Sequence, residues 1–241
     1  MDKKIKNRYI LILGAGFTLK KYWNKIDNFI KDNNIVTIGC NNINHITTPD
    51  YHFWTDRRRY LKYGKYLDKK SVLIFGNHFD KKLIRKYWKR SYEIIKYTKQ
   101  KWKKSYEDPK SKKYGLGEVT YDKKTNTFHG VFRTVGSLSI LWANINKARI
   151  INIVGMDGYT LYSKDSLIDK KTSQHCYGKG FTDIVANANG TKKYKEFYKF
   201  CAQKDEDIYK TLISIKKYGV KFEIITPTVY KEFYNSKILN I

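Results

Sequence analysis

An α/β architecture, with a mostly parallel open sheet, helices on both faces and a lid segment, is the fold class the sequence predicts. Three observations carry it. A continuous apolar run at residues 9–13 and largely apolar stretches of strand length at 35–39, 51–54, 71–75, 149–154 and 221–225 give the pattern of buried strands. Segments whose apolar residues follow helical spacing alternate with these runs. The first run ends in Gly14-Ala15-Gly16, a tight turn of the kind that carries a strand into a helix. Together they describe a Rossmann-like sheet with right-handed crossovers.

Each element follows from its residues. Thr18 is read as the N-cap of a helix over 19–31, with Leu19, Tyr22, Trp23, Ile26 and Ile30 inward. Leu83, Ile84, Tyr87, Trp88, Ile94 and Ile95 roughly keep helical spacing, so 80–97 is expected to be helical. Residues 99–128 are Lys-rich, carry Pro109, Gly115 and Gly117, and read as a long loop. Helices are expected over 138–146 and 192–217. Residues 158–190 hold four glycines and no clear period. A long irregular segment after a buried strand is commonly a functional lid. The expected organisation is an α/β domain from 1–157 and 191–241, with 158–190 as lid and acceptor segment.

The 241 residues include 49 Lys and Arg against 22 Asp and Glu, a net charge of +27. A biased coding composition would explain abundant Lys, Asn, Ile and Tyr, but it would also supply acids. The excess is local: residues 81–113 hold 14 cations against three acids, interleaved with Tyr87, Trp88, Tyr92, Tyr97, Trp102 and Tyr106. Such a surface suits a phosphate-bearing polymer or an anionic membrane face. For 81–98 the competing reading is an amphipathic helix with a solvated Lys face. Three cysteines do not make a disulfide scaffold and point to a reducing compartment. No run approaches 18 apolar residues, and no apolar signal core follows the first methionine. The expected location is the cytoplasm, with peripheral membrane contact through 81–113.

In open α/β sheets ligands bind beyond the carboxyl ends of the strands. Gly14, Gly16 and Thr18 follow the first strand. There the glycines let backbone approach a phosphate or ribose, or they simply make the turn. The full dinucleotide fingerprint is absent, because residue 19 is Leu and no acid closes the second strand. Asn41 follows the second strand and either contacts a ribose or base or caps a turn. Arg133 and Ser137 flank a helix start, an edge suited to anions, although Arg133 is equally readable as one more surface cation. Asp157, Tyr159 and Tyr162 follow the 149–154 strand. Phenols can donate to phosphate oxygens without a metal, or the tyrosines pack and Asp157 caps a turn. His175 lies in the lid segment, where a histidine can act as general base. His52 and His78 sit in or beside apolar strands and read as structural. No zinc spacing is present and no metal is expected.

The ordered set Gly14-x-Gly16-x-Thr18-Leu19, Cys40-Asn41, Arg133-Thr134-x-Gly136-Ser137, Gly155-x-Asp157-x-Tyr159 with Tyr162, Thr182-Asp183-Ile184 and Thr226-Pro227 resembles the bacterial sialyltransferases of glycosyltransferase family 42 and their wider relatives. It spans most of 8–230. The resemblance implies metal-independent transfer from a CMP-activated nonulosonic acid, with no cofactor. It implies that Asn41 contacts the nucleotide, with Gly14, Gly16 and Ser137 along its edge. Tyr159 and Tyr162 would hold the departing phosphate, and His175 would deprotonate the acceptor hydroxyl. The chain departs from the pattern at Ala15, where the family has Asn, and at Thr55, which also stands at an Asn position. His175 lies about three residues upstream of the family's base, a position held here by Gly178. These departures leave another nucleotide sugar open as donor. The expected partners are the nucleotide-sugar donor and a glycan or other anionic acceptor; an oligomer is compatible. Two alternatives remain at this point: a nucleic-acid-binding or nucleic-acid-modifying protein using the basic surface, and a transferase using S-adenosylmethionine or a diphosphate donor.

Overall fold

The computed structural model describes residues 5–98, 119–130, 132–161 and 191–241, with side chains described from 201 onward in the last stretch. Strand β1 (Tyr9–Leu13) lies between β2 (Val36–Cys40) and β8 (Ile150–Val154), parallel to both. Its alternate residues serve opposite faces: Ile10 and Ile12 join one buried cluster, Leu11 and Leu13 another. That two-sided burial is why the run is apolar throughout.

Among the described residues the sheet has nine strands in the order β6-β7-β5-β4-β3-β2-β1-β8-β9. Beyond β2 come β3 (Tyr51–Trp54), β4 (Val72–Gly76) and β5 (Glu93–Tyr97), each parallel to its neighbour. On the other side β9 (Glu223–Ile224) pairs parallel with β8. The only antiparallel pair in the described sheet is the edge hairpin of β6 (Thr120–Asp122) and β7 (Thr127–His129). Strand order reverses between β1 and β8, the switch point where open α/β sheets hold ligands.

Helices cover both faces, as expected. The first face carries α5 (Val135–Ile145), whose Leu138, Leu141 and Trp142 are buried, and α6 (Thr191–Lys217), which contributes Ile208, Leu212 and Ile215. The second carries α1 (Phe17–Lys21) and α2 (Trp23–Asp32), with Leu19 and Ile26 against Leu11, Leu13 and Val154. A third cluster gathers Trp54, Tyr60, Leu73, Phe75, Ile84 and Trp88 at the β3–β4 end. Among the described residues no helix is long and apolar enough to cross a membrane.

Several elements differ from the sequence reading. The helix expected over 19–31 is two helices, broken at Tyr22 (φ −109°, ψ 18°). Gly16 occupies the N-cap position of α1 without a side-chain cap, and Thr18 lies inside the helix. The helix expected over 80–97 is only α4 (Lys81–Arg85); residues 93–97 form β5, because Ile95 and Tyr97 point inward around an exposed Lys96. That is a period of two, hidden by the apolar Ile94, which is 41% exposed. An unexpected helix, α3 (Arg57–Tyr63), starts where the Asp56 carboxylate accepts from the Arg58 and Arg59 amides. The end of the expected 99–128 loop is the β6–β7 hairpin, and α5 begins three residues earlier than expected, capped by Thr134. The last strand is confined to Glu223–Ile224. Of the expected lid, 158–161 are described and 162–190 lie outside the described residues.

Candidate functional site

The β1–α1 turn and the turn after β8 are pressed together at the switch point. The Gly14 amide donates to the Val154 carbonyl at 2.8 Å and the Gly16 amide to the Gly155 carbonyl at 2.9 Å. A Cβ on Gly14 would stand 2.5 Å from the Gly155 oxygen, and one on Gly16 would stand 2.5 Å from the Asp157 carboxyl carbon. Gly155 itself holds φ +67°. The G-x-G is therefore required by the approach of two backbone loops, and both glycine amides are already used.

Asp157 fastens this junction. It is 2% exposed. It accepts from the Thr18 amide at 2.9 Å and from the Thr18 hydroxyl. Burial pushes its carboxyl up to about 7, against the opposing pull of the Thr18 hydrogen bonds. The Thr226 hydroxyl lies 3.0 Å from that of Thr18 and accepts from the Gly155 amide. The chain after β9 is thus tied to the same point.

Above the junction opens a cavity of about 520 Å3. Gly14, Gly16, Asn41, Arg133, Asp157 and Tyr159 line it, so six of the expected site residues converge there. Thr18 and Ser137 do not line it. Ser137 is 1% exposed; its hydroxyl donates to the Thr134 carbonyl at 2.9 Å and its amide to the Thr134 hydroxyl at 3.2 Å, so it completes the α5 cap. Thr134, Val135 and Gly136 form that wall instead. Tyr162 and His175 lie outside the described residues.

Asn41 is held in a left-handed conformation, φ 54°. Its amide donates to the Phe53 carbonyl at 2.8 Å, its Oδ1 accepts from the Thr55 amide at 3.3 Å, and its carbonyl accepts from His52 Nε2. His52 is buried and its imidazole is pushed down to about 4, so it is neutral and structural, as expected. Cys40, beside it, has its thiol pushed up to about 12 by burial and is no nucleophile.

Arg133 is committed to a buried ion pair. Its Nε donates to Asp207 Oδ2 at 2.7 Å, with the two side chains 10% and 3% exposed. Tyr159 is fixed through its backbone: its amide donates to Asp205 Oδ1 at 2.7 Å. Asp205 also accepts from the Thr160 amide and hydroxyl and from the Tyr230 hydroxyl at 3.0 Å, pinning the post-β8 loop to α6. Burial, aided by Asp205, pushes the Tyr159 phenol up to about 12, so it remains a donor.

The sequence reading missed most of the cavity's charge. Arg57, Arg58 and Lys204 line it. Lys204 Nζ lies 4.3 Å from the centre of the Tyr159 ring, and burial brings its ammonium down to about 8. His78 also lines the cavity, in contrast to the structural role that its place beside an apolar strand predicts. Its Nε2 is 2.8 Å from the Thr55 carbonyl and its Nδ1 is 3.3 Å from the Tyr97 hydroxyl. A carbonyl only accepts, so Nε2 carries the proton and Nδ1 accepts from Tyr97. The one sequence signal for these groups was the Arg57–Arg59 run directly after a strand. Among the described residues no group of three or more His, Cys, Asp or Glu is placed to hold a metal.

The arrangement offers cations, phenols and a hydrogen-bonded imidazole–phenol pair around a polar cleft, which can hold an anionic ligand and relay a proton. Compared with known proteins, the chain matches no family model and no curated protein sequence.

Proposed function

We propose that the chain is a metal-independent glycosyltransferase that moves a sugar, of the sialic-acid-like nonulosonic class, from a CMP- or other nucleotide-activated donor to an acceptor hydroxyl. The observation that carries this reading is the switch-point cavity, where Asn41, Tyr159, Lys204, Arg57 and Arg58 face one cleft. In this reading Asn41 meets the nucleoside. Its conformation is fixed by Phe53 and Thr55, so little ordering entropy is lost on binding. The acceptor oxygen attacks the anomeric carbon, and the bond from that carbon to the phosphate oxygen breaks with its electron pair leaving on the nucleotide. Lys204, the two arginines and the Tyr159 phenol stabilise the charge that grows on the departing phosphate. A base takes the acceptor proton. The resemblance gives that role to His175; among the described residues the His78 Nδ1 lone pair is taken by the Tyr97 hydroxyl, so His78 would receive the proton by relay through that phenol. Cys40 and Cys201, both buried, fit the reducing cytoplasm as the place of action.

Calorimetric titration with CMP, CDP, UDP, GDP and S-adenosylmethionine tests the reading. The expected result is binding of CMP, lost by at least tenfold in Arg58→Gln. Binding of S-adenosylmethionine alone, or of no mononucleotide at all, overturns it.

A further inference from the structure

A second concave surface adjoins the cavity. Arg57, Asp80, Lys82, Leu83, Arg85, Lys86 and Lys89 line a groove of about 600 Å3, and Arg57 lines both it and the cavity. Five cations face one carboxylate there. Asp80 is already occupied: it accepts from the Leu83 amide at 2.7 Å and pairs with Arg57 at 3.3 Å. Arg85 is anchored over the Tyr92 ring at 5.5 Å and donates to the Arg90 carbonyl at 3.2 Å. Lys82, Lys86 and Lys89 are exposed and make no ion pair among the described residues.

Of the interleaved aromatics, Tyr87, Trp88 and Tyr92 pack into the third cluster. Trp88 is 4% exposed and its indole donates to the Ser91 carbonyl at 2.9 Å. The Tyr87 hydroxyl donates to the Leu61 carbonyl at 2.8 Å, and Tyr92 packs edge-on against Phe75 at 5.7 Å. Single-stranded nucleic acid is held by cations together with aromatic faces open to bases. Here Trp88 packs inward, and the half-buried Tyr87 and Tyr92 rings are covered by Lys86 at 5.3 Å and Arg85 at 5.5 Å. The groove therefore offers charge without stacking.

We propose that this groove binds the acceptor, an acidic glycan chain bearing repeated carboxylate or phosphate groups, and leads its reacting end past Arg57 into the cavity. The acceptor role rests on the transferase reading; polyanion binding by the groove does not. The test is fluorescence anisotropy with a labelled acidic hexasaccharide (an oligogalacturonate), against single-stranded and duplex oligonucleotides of matched charge, between 50 and 200 mM salt. The triple variant Lys82→Ser, Lys86→Ser, Lys89→Ser is compared with the unaltered chain, and CMP titration is run on both. The expected result is glycan binding that weakens at least tenfold in the triple variant. The slope of log affinity on log salt should also become shallower as the three cations are lost, with CMP binding unchanged. Glycan binding with this pattern but no CMP binding keeps the groove and removes the transferase reading. CMP binding with glycan affinity unchanged in the triple variant removes the groove alone. Absence of glycan binding, or oligonucleotide binding tenfold tighter than glycan, overturns the proposal.

Discussion

Thr18 and Asp157, 139 positions apart, are joined twice: the Thr18 amide donates to Oδ2 at 2.9 Å and the hydroxyl donates to Oδ1. This pair of hydrogen bonds between the first helix and the loop after β8 closes the floor of the cavity. Thr18→Val keeps the amide contact and removes the hydroxyl, leaving a buried carboxyl under-satisfied. A loss of about 1–3 kcal/mol is expected in urea unfolding, and a change near zero would show the hydroxyl to be dispensable.

The same carboxyl and His52 make opposing contributions to the pH profile. Asp157 rises from 3.8 to about 7 on folding, so its contribution is present below pH 4 and lost as pH rises to 7. His52 falls from 6.5 to about 4, so its contribution is present above pH 6.5 and lost as pH falls to 4. Between pH 4 and 6.5 the two slopes oppose. Melting temperature in that window should therefore climb with pH in Asp157→Asn and decline with pH in His52→Gln, with the unaltered chain flatter than either. Parallel curves for all three would refute both assignments.

Gly14→Ala places a methyl 2.5 Å from the Gly155 oxygen, a backbone atom that cannot swing aside. The expected cost is roughly 2–4 kcal/mol, a fall of about 5–10 °C in melting temperature at this chain length. Because the site's floor is the same junction, ligand affinity should drop with it. A fully stable alanine variant would mean the loops can separate without penalty.

Lys204, brought down to about 8 by burial, carries charge at pH 7 and loses it above 8. Affinity for CMP should weaken as pH is raised from 7 to 9 and flatten in Lys204→Met, which should bind about tenfold more weakly at pH 7. Equal affinity at both pH values in the unaltered chain would place the phosphate elsewhere.

Two histidines compete for the role of base. His175→Ala and His78→Gln should each leave CMP affinity within twofold. The variant lacking the true base should lose at least 100-fold in transfer rate and also the acid limb of its pH–rate profile. Loss confined to His78→Gln assigns the proton to the Tyr97-linked imidazole; loss confined to His175→Ala assigns it to the lid.

The strands at the sheet's centre were legible because two-sided burial writes itself as unbroken apolar runs, and β1 and β3 fall where the runs fall. Segment 80–97 was not, because Leu83, Ile84, Tyr87 and Trp88 serve a local aromatic cluster whose spacing imitates a helix. Pairing with β4 then overrides that spacing from Glu93 onward. Helix α3 hid because its surface is arginine and its single deep anchor is Tyr60. At the site, the turn residues were legible and the charges were not. Lys204 and His78 reach the cavity from α6 and the end of β4, and only the three-dimensional path brings them together.

The placement of β1 has a consequence in time. It acquires β2 once residue 40 has been made, yet its other edge waits for β8 at residues 150–154. A chain emerging from the ribosome therefore carries β1 through β5 with the central strand's second edge open, along with the apolar face that α5 and α6 later cover. Non-local parallel pairing is slow, so this half-built sheet is the species a chaperone would meet. The cleft itself, whose rim includes Tyr230, comes into being only after residue 230 has been made.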